Sequence, residues 1–256
     1  ATIETAMQRL EARAKADAEA ERQRRAEAEA ERRHQGTKRR GKAPKAVDAT
    51  PDDKAQTNFT DPELRIMQTN NKGWDYCGNA QVSVDAAYQI IVACDVTEAA
   101  NDKQQAPPMA QLTGAHLAHA GIETPKDASG VAQKLPATYD SGYYSEAAAA
   151  AVEQMGFDPY MATDRQRHHA PEGEASSPPA TAKDRMAAKV RTPAGRALYA
   201  RRKVIVEPVF GQIKEARGFR RFLLRSLAKI RGEWRLVCLT HNLLKIWRHE
   251  YALSTV

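Results

Sequence analysis

Apolar and polar residues alternate from Tyr76 to Asp85, with Ala80, Val82 and Val84 on one side and Asn79, Gln81, Ser83 and Asp85 on the other. A period of two predicts a half-buried strand over 76–85. Ala86-Ala87 predicts a short turn, and Tyr88 to Val96 is more uniformly apolar. That predicts a second, more deeply buried strand, paired with the first as a hairpin. The spacing then changes to three and four. Met109, Leu112 and His116 share one face over residues 102–120, and Gly121 follows as a stop, which predicts a helix. Leu135 to Asp140 predicts a third strand. Ser145 is a helix cap before an alanine-rich run that ends at Gly156, and Pro159 to Thr163 predicts a short fourth strand. Residues 165–190, which include His168-His169 and a Ser/Pro-rich stretch, predict a polar loop. Helical patterns fill the rest. In the last of them Leu236, Leu239, Leu243 and Trp247 lie three and four apart, which predicts a face packed in the core.

The N-terminal part has a different texture. Residues 1–33 consist mainly of Ala, Glu and Arg, with Glu11–Lys15, Glu21–Arg25 and Glu29–Arg33 spaced as helix-stabilising pairs. Beyond Ile3, Met7 and Leu10 the apolar stripe gives out, so a solvated helical spacer is expected rather than a long coiled coil. Residues 34–58 are basic and rich in breakers, and predict a disordered linker able to touch DNA phosphates without sequence preference. Residues 59–256 are expected to form the folded core.

Composition narrows the partner. The chain has 256 residues, 42% hydrophobic, with a formal net charge of +7 and a pI near 9.3. That balance allows a real core and points to a polyanion. No apolar run approaches membrane-spanning length, and no basic-then-apolar leader opens the sequence. Cys77, Cys94 and Cys238 are widely spaced and define neither a disulfide framework nor a zinc module, which fits a reducing cytoplasm. The first residue is Ala1, as expected of a fragment, a processed chain or a trimmed one.

Two acids stand out. Wound as one helix at about 100° per residue, residues 199–214 place Tyr199, Lys203, Glu207 and Lys214 on one stripe, with Arg202 beside it. A carboxylate among cations suits metal-assisted chemistry on a phosphodiester, the acid holding metal and the cations holding phosphate. A solvated helix face with Glu–Lys pairs has the same pattern. Asp140 ends a predicted strand and precedes Ser141-Gly142. This is a common place for a functional acid, and equally a turn-forming one. His116 and His119 read as a partly buried helix face, Asp85 and Asp95 as turn and strand-end residues, and His168-His169 as solvated. From Arg196 to Arg235 there are twelve Lys or Arg against three Asp or Glu. Phe219, Phe222, Leu223, Leu227 and Ile230 interleave with Arg217, Arg220, Arg221 and Arg225, so one side can pack while the other meets phosphates.

Taken as a set, four stretches resemble the DDE transposases of bacterial insertion sequences that carry a Tyr-Arg-Glu-Lys signature. They are Asn58 to Glu63, Gly78-Asn-Ala-Gln81, Asp140-Ser-Gly-Tyr143, and Arg191 to Lys203 running on through Val206 to Lys214. The resemblance covers about residues 55–248. It implies an α/β, RNase-H-like catalytic core followed by C-terminal helices. It also implies DNA transposition by two-metal phosphodiester attack, with Mg as cofactor and Mn able to substitute. The second catalytic, metal-holding acid then falls on Asp140 and the third on Glu207. Tyr199 and Lys214 match the signature. Arg202 lies at the family distance from Tyr199 and Lys203 at the family distance from Glu207, so both stand as its arginine position. Arg217, Arg220, Arg221 and Arg225 join them as DNA contacts. The partners implied are double-stranded DNA, as transposon ends and target, and a second copy of the chain on that DNA, in a nucleoid-associated cytoplasmic setting with no membrane. Pro208 is expected to kink or restart the helix, because its ring opposes the Val204 carbonyl.

The family's first, central strand, which carries the first catalytic Asp, is not found before residue 76. The chain is therefore expected to start downstream of it, to expose strand edges, and to lack efficient catalysis alone. Two alternatives remain at this stage. One is a catalytically dead remnant that binds DNA or a partner. The other is a chain that forms no stable fold.

Overall fold

The computed structural model describes residues 2–34, 36, 41–69, 72–164 and 181–254, arranged as two compact units, Ala1–Cys77 and Gly78–Val256. Both units mix helices with small sheets, in keeping with an α/β chain.

In the first unit, α1 (Thr2–His34) forms where the Ala/Glu/Arg pattern predicts it. Glu21 pairs with Arg25 at 2.7 Å and Glu29 with Arg33 at 2.5 Å, each one turn apart. Residues 41–58 have neither helix nor strand. Part of this segment is tied to α1: Arg25 donates to the Lys45 carbonyl at 2.7 Å and Arg22 to that of Val47 at 3.3 Å. The strands β1 (Arg65–Gln68) and β2 (Trp74–Cys77) form an antiparallel hairpin with Ile66 opposite Tyr76.

The alternating run 76–85 is therefore not one strand. Tyr76 and Cys77 pair with β1, and a new strand, β3 (Asn79–Val84), begins the second unit and pairs with β4 (Ile91–Thr97). The predicted hairpin forms, antiparallel, with Ala80 opposite Val96 and Val82 opposite Cys94. Asp85 shapes its turn by accepting from the Ala87 and Tyr88 amides at 3.1 and 2.6 Å. Asp95 pairs with Arg231 at 2.9 Å.

Next come α2 (Ala106–His119), β5 (Leu135–Tyr139), α3 (Glu146–Gln154) and β6 (Phe157–Met161). β5 and β6 run parallel, with Ala137 opposite Pro159, and α3 is the crossover that parallel pairing requires. Ser145 caps α3 by accepting from the Ala148 amide, and Gly156 at φ +86° takes the left-handed turn that leads into β6. Ala106, Ala110, Ala148, Val152, Phe157 and Met161 form a buried cluster between α2, α3 and the β5–β6 pair.

Three expectations are corrected here. Residues 165–180 lie outside the described residues, but residues 182–191 are not loop. They form α4 (Ala182–Arg191), opened by a reciprocal capping box between Thr181 and Asp184. Next, α5 (Pro193–Gly211) runs unbroken through Pro208 and then widens into one π turn, Gln212–Ala216. The carbonyl that Pro208 deprives of its donor, that of Val204, instead accepts from the Gln89 side chain at 3.0 Å. Finally, α6 (Leu227–Ser254) packs through Ile230, Trp234, Val237, Cys238 and His241, whereas Leu236, Leu239, Leu243 and Trp247 are 53–61% exposed. A helix of this length carries two apolar stripes, and its own spacing does not say which one meets the sheet.

Gly195 marks the tight joint between α4 and α5. A Cβ there would lie 2.1 Å from the Lys189 carbonyl oxygen, so only glycine fits.

Candidate functional site

Asp140 follows the last residue of β5 and caps a single 3-10 turn, Ser141–Tyr143. Its Oδ1 accepts from the Ser141 amide at 2.7 Å, and the Tyr143 amide donates back to its carbonyl at 3.1 Å. The side chain is 57% exposed, with Oδ2 3.4 Å from Nη1 of Arg202 on α5. Arg202 is 19% exposed, and its guanidinium lies 5.4 Å from the centre of the Tyr199 ring. Burial pushes the Tyr199 hydroxyl pKa up, so it remains a neutral hydrogen-bonding group.

Two stretches separated by some sixty residues of sequence thus meet. The strand-end turn supplies Asp140, and the helix supplies Arg202 and, beside it, Tyr199. Glu207, five residues further on, lies about 140° around the helix from Arg202 and makes no contact with Asp140 among the described residues. Glu207 is exposed and forms no ion pair among the described residues. Of the two candidates for the arginine position, Arg202 faces Asp140, while Lys203 is exposed on the neighbouring side of α5. Lys214 does not follow from Glu207 at the α-helical step, because it sits in the π turn, its ammonium 5.2 Å from the Phe210 ring centre.

The basic segment divides by partner. Arg217 is drawn onto α6, donating to the Val237 carbonyl at 3.0 Å and to Thr240 Oγ1. Arg220 pairs with Glu215. Arg221 and Arg225 are exposed, with no ion-pair partner among the described residues. The interleaved aromatics pack as expected: Phe219 and Phe222 meet edge to face at 5.7 Å, and both lie against Trp234. His116 and His119 form no metal pair. Contrary to the partly buried face expected of them, both are exposed, and His116 reaches β4 with Nδ1 2.8 Å from the Val92 carbonyl. His168 and His169 lie outside the described residues.

Sequence reasoning missed a polar cluster beside Asp140. Gln81, only 4% exposed, donates to Asn79 Oδ1 and Asp102 Oδ1, both at 2.9 Å. Asn79 donates to the same Asp102 oxygen at 2.8 Å, and Tyr143 donates its hydroxyl to Gln81 Oε1. Two amides on one face of β3 were the visible signal. Their burial and their partners depend on distant segments.

As a donor set for a divalent cation, Asp140 and Glu207 are hard carboxylate oxygens of the kind magnesium takes. Among the described residues no group of three or more His, Cys, Asp or Glu is placed to hold a metal ion. No helix among the described residues is long and apolar enough to cross a membrane.

Residues 144–247 match the model of a family described as a transposase DDE domain. The match supports a DDE transposase and a transposition-related function. It includes Glu207 and the whole cationic segment and begins just after Asp140. No curated protein and no solved structure matches the chain.

Proposed function

We propose that this chain is the DNA-processing region of a Mg-dependent DDE transposase of the insertion-sequence type with the Tyr-Arg-Glu-Lys signature. The observation that carries the reading is the Asp140–Arg202 ion pair, which joins the strand-end acid to the helix bearing Glu207 inside the family-matching region. Asp140 and Glu207 are the metal-holding carboxylates. The bound ion would polarise a phosphoryl oxygen. Cutting is attack by a water oxygen on a backbone phosphorus, with loss of the bond to the departing 3′ oxygen. Joining is the same displacement with a 3′-hydroxyl as the nucleophile. Tyr199 and Arg202 orient Asp140. Lys203, Lys214, Arg221 and Arg225 hold the DNA backbone, and Arg217 and Arg220 shape that surface through α6 and Glu215.

The fold reading is an RNase-H-like core without its first, central strand. Its support is that β3 and β5 each pair with one strand among the described residues. A central strand between them would complete one sheet and bring the first acid. Residues 1–33 serve as a charged spacer helix and 34–58 as a basic linker before the core, in a nucleoid-associated cytoplasmic protein.

Binding of this chain to duplex DNA is expected to weaken linearly on a log scale as salt rises, with little dependence on sequence. Replacing Arg221 and Arg225 together by Ala is expected to flatten that salt slope by about two, one per lost phosphate contact. An affinity that does not change with salt would overturn the DNA assignment.

The exposed stripe Leu236, Leu239, Leu243 and Trp247 supports a homodimer through α6, since contiguous apolar faces of this kind are partner sites. Sedimentation at micromolar concentration is expected to give a two-copy mass that falls to one copy in the double variant Leu239→Glu, Leu243→Glu. A one-copy mass for the unaltered chain contradicts the dimer.

A second reading, a catalytically dead remnant that binds DNA or a partner, is favoured by one observation. Among the described residues no three metal-binding side chains are grouped, at these acids or elsewhere. Under this reading the DNA-binding results are the same and strand cleavage is absent in both Mg and Mn.

A further inference from the structure

Two glutamines of the β3–β4 hairpin reach out of it, one to the turn that Asp140 caps and one to the Val204 carbonyl, three residues before Glu207. Gln81 acts through Tyr143. The Asp102 carboxylate only accepts hydrogen bonds, so the Gln81 amide nitrogen must face it, at 2.9 Å. That leaves Gln81 Oε1 to receive the Tyr143 hydroxyl. Burial, with Asp102 next in effect, pushes the Tyr143 pKa up and keeps the hydroxyl a donor. Tyr143 is the last residue of the turn that Asp140 caps, and its own amide holds the Asp140 carbonyl at 3.1 Å. Among the described residues no strand ladder joins the β3–β4 pair to the β5–β6 pair. The Gln81–Tyr143 bond is therefore a direct tie between the hairpin and the Asp140 turn.

Gln89 acts on the helix. It sits at φ +59°, a left-handed conformation uncommon for a residue with a side chain. Its Oε1 receives Lys245 Nζ at 2.6 Å, and its backbone carbonyl receives His241 Nε2 at 3.0 Å. Its Nε2 is thereby turned to the Val204 carbonyl at 3.0 Å. That carbonyl is the one left without a helical donor by Pro208, the residue next to Glu207.

We propose that the hairpin is the frame that sets Asp140 and Glu207 relative to each other, with Gln81 (through Tyr143) and Gln89 as positioning residues. The proposal rests on the reading of the two acids as metal ligands. It assigns a role to the Gly78-Asn-Ala-Gln81 stretch, which carries part of the resemblance but received no role from it.

The test compares the unaltered chain with Tyr143→Phe, Gln89→Ala and Asp140→Asn, by amide hydrogen exchange and by titration with Mn ions alone. Tyr143→Phe removes one oxygen, and so remains informative should Gln89→Ala fail to give a cooperative melt. Exchange is expected to rise roughly three- to tenfold at Ser141–Tyr143 in Tyr143→Phe and at Ile205–Glu207 in Gln89→Ala. Mn affinity is expected to fall about tenfold in each variant, as for other residues that support a metal ligand, while the melt stays cooperative. Unchanged exchange in Tyr143→Phe overturns the brace, whatever the metal data show. Raised exchange with unchanged Mn affinity, where Asp140→Asn has lost affinity, also overturns it. Should Asp140→Asn bind Mn as well as the unaltered chain, the reading of the acids fails instead, and the exchange data then report a purely structural tie.

Discussion

Replacing Asp140 by Asn, or Glu207 by Gln, is expected under the proposed reading to abolish strand cleavage by any form of this protein that cleaves DNA in Mg or Mn, and to leave its DNA binding in place. Under the proposed reading each change removes a charged metal ligand and keeps the side-chain volume. A metal ion at such a site supplies several kcal/mol of transition-state stabilisation, so the rate is expected to fall about a thousandfold or more. Binding should persist because it belongs to different groups: Lys203, Lys214, Arg221 and Arg225 are exposed and remain. The acids need not behave identically. Asp140 also neutralises Arg202, and the Asn variant frees that guanidinium to hold a phosphate, so Asp140→Asn is expected to bind DNA somewhat more tightly than Glu207→Gln. Cleavage at the unaltered rate by either variant, in a gel assay with Mg or Mn, removes that residue from the site.

Trp234→Ala is expected to cost about 3–5 kcal/mol, the range for deleting a large buried aromatic, out of a total near 5–15 kcal/mol for a domain. Trp234 is 2% exposed on α6. Phe210 of α5 stacks on it at 6.2 Å between centroids, and Phe219 and Phe222 of the basic segment lie at 6.4 and 6.2 Å. Its indole N–H donates to the Gln81 carbonyl on β3 at 3.2 Å. One side chain thus joins the hairpin, the helix with Glu207 and the arginine-rich segment, and its loss opens a cavity where all three meet. Trp234→Phe keeps an aromatic ring and loses the hydrogen bond, so a smaller loss is expected. Urea melts read both. A cost below about 1 kcal/mol for the Ala variant would mean that the aromatic cluster is not what holds these elements together.

What could be read from sequence was local. The β3–β4 hairpin follows from a period of two and a turn aspartate, and α3 follows from Ser145 at one end and Gly156 at the other. The capping box of α4 was present in Thr181 and Asp184, but the Ser/Pro-rich stretch before it masked the start of the helix. Pro208 was visible as a threat to α5. Its remedy was not, because the donor that replaces the lost amide comes from Gln89, 115 residues earlier in the chain. The face of α6 was ambiguous because both stripes are apolar, and only the position of the sheet decides between them. In the candidate site, Asp140, Glu207 and the cations stood out by residue type. Arg202 was separated from Lys203 only by the fold, which brings β5 against α5. Asn79, Gln81 and Tyr143 belonged to stretches that carry the resemblance, yet neither they nor Asp102 stood out as site residues. Their meaning lies in a hydrogen-bond network among three distant segments.

The most direct test of the account is to locate a divalent ion on this chain. Paramagnetic broadening of amide signals by Mn ions should appear first around Asp140–Ser141 and around Glu207, at the same ion concentration, and should disappear from both places in Asp140→Asn. Broadening at only one of them, or a pattern that survives Asp140→Asn, would mean that the two acids do not share an ion and that this is not the catalytic centre of a transposase.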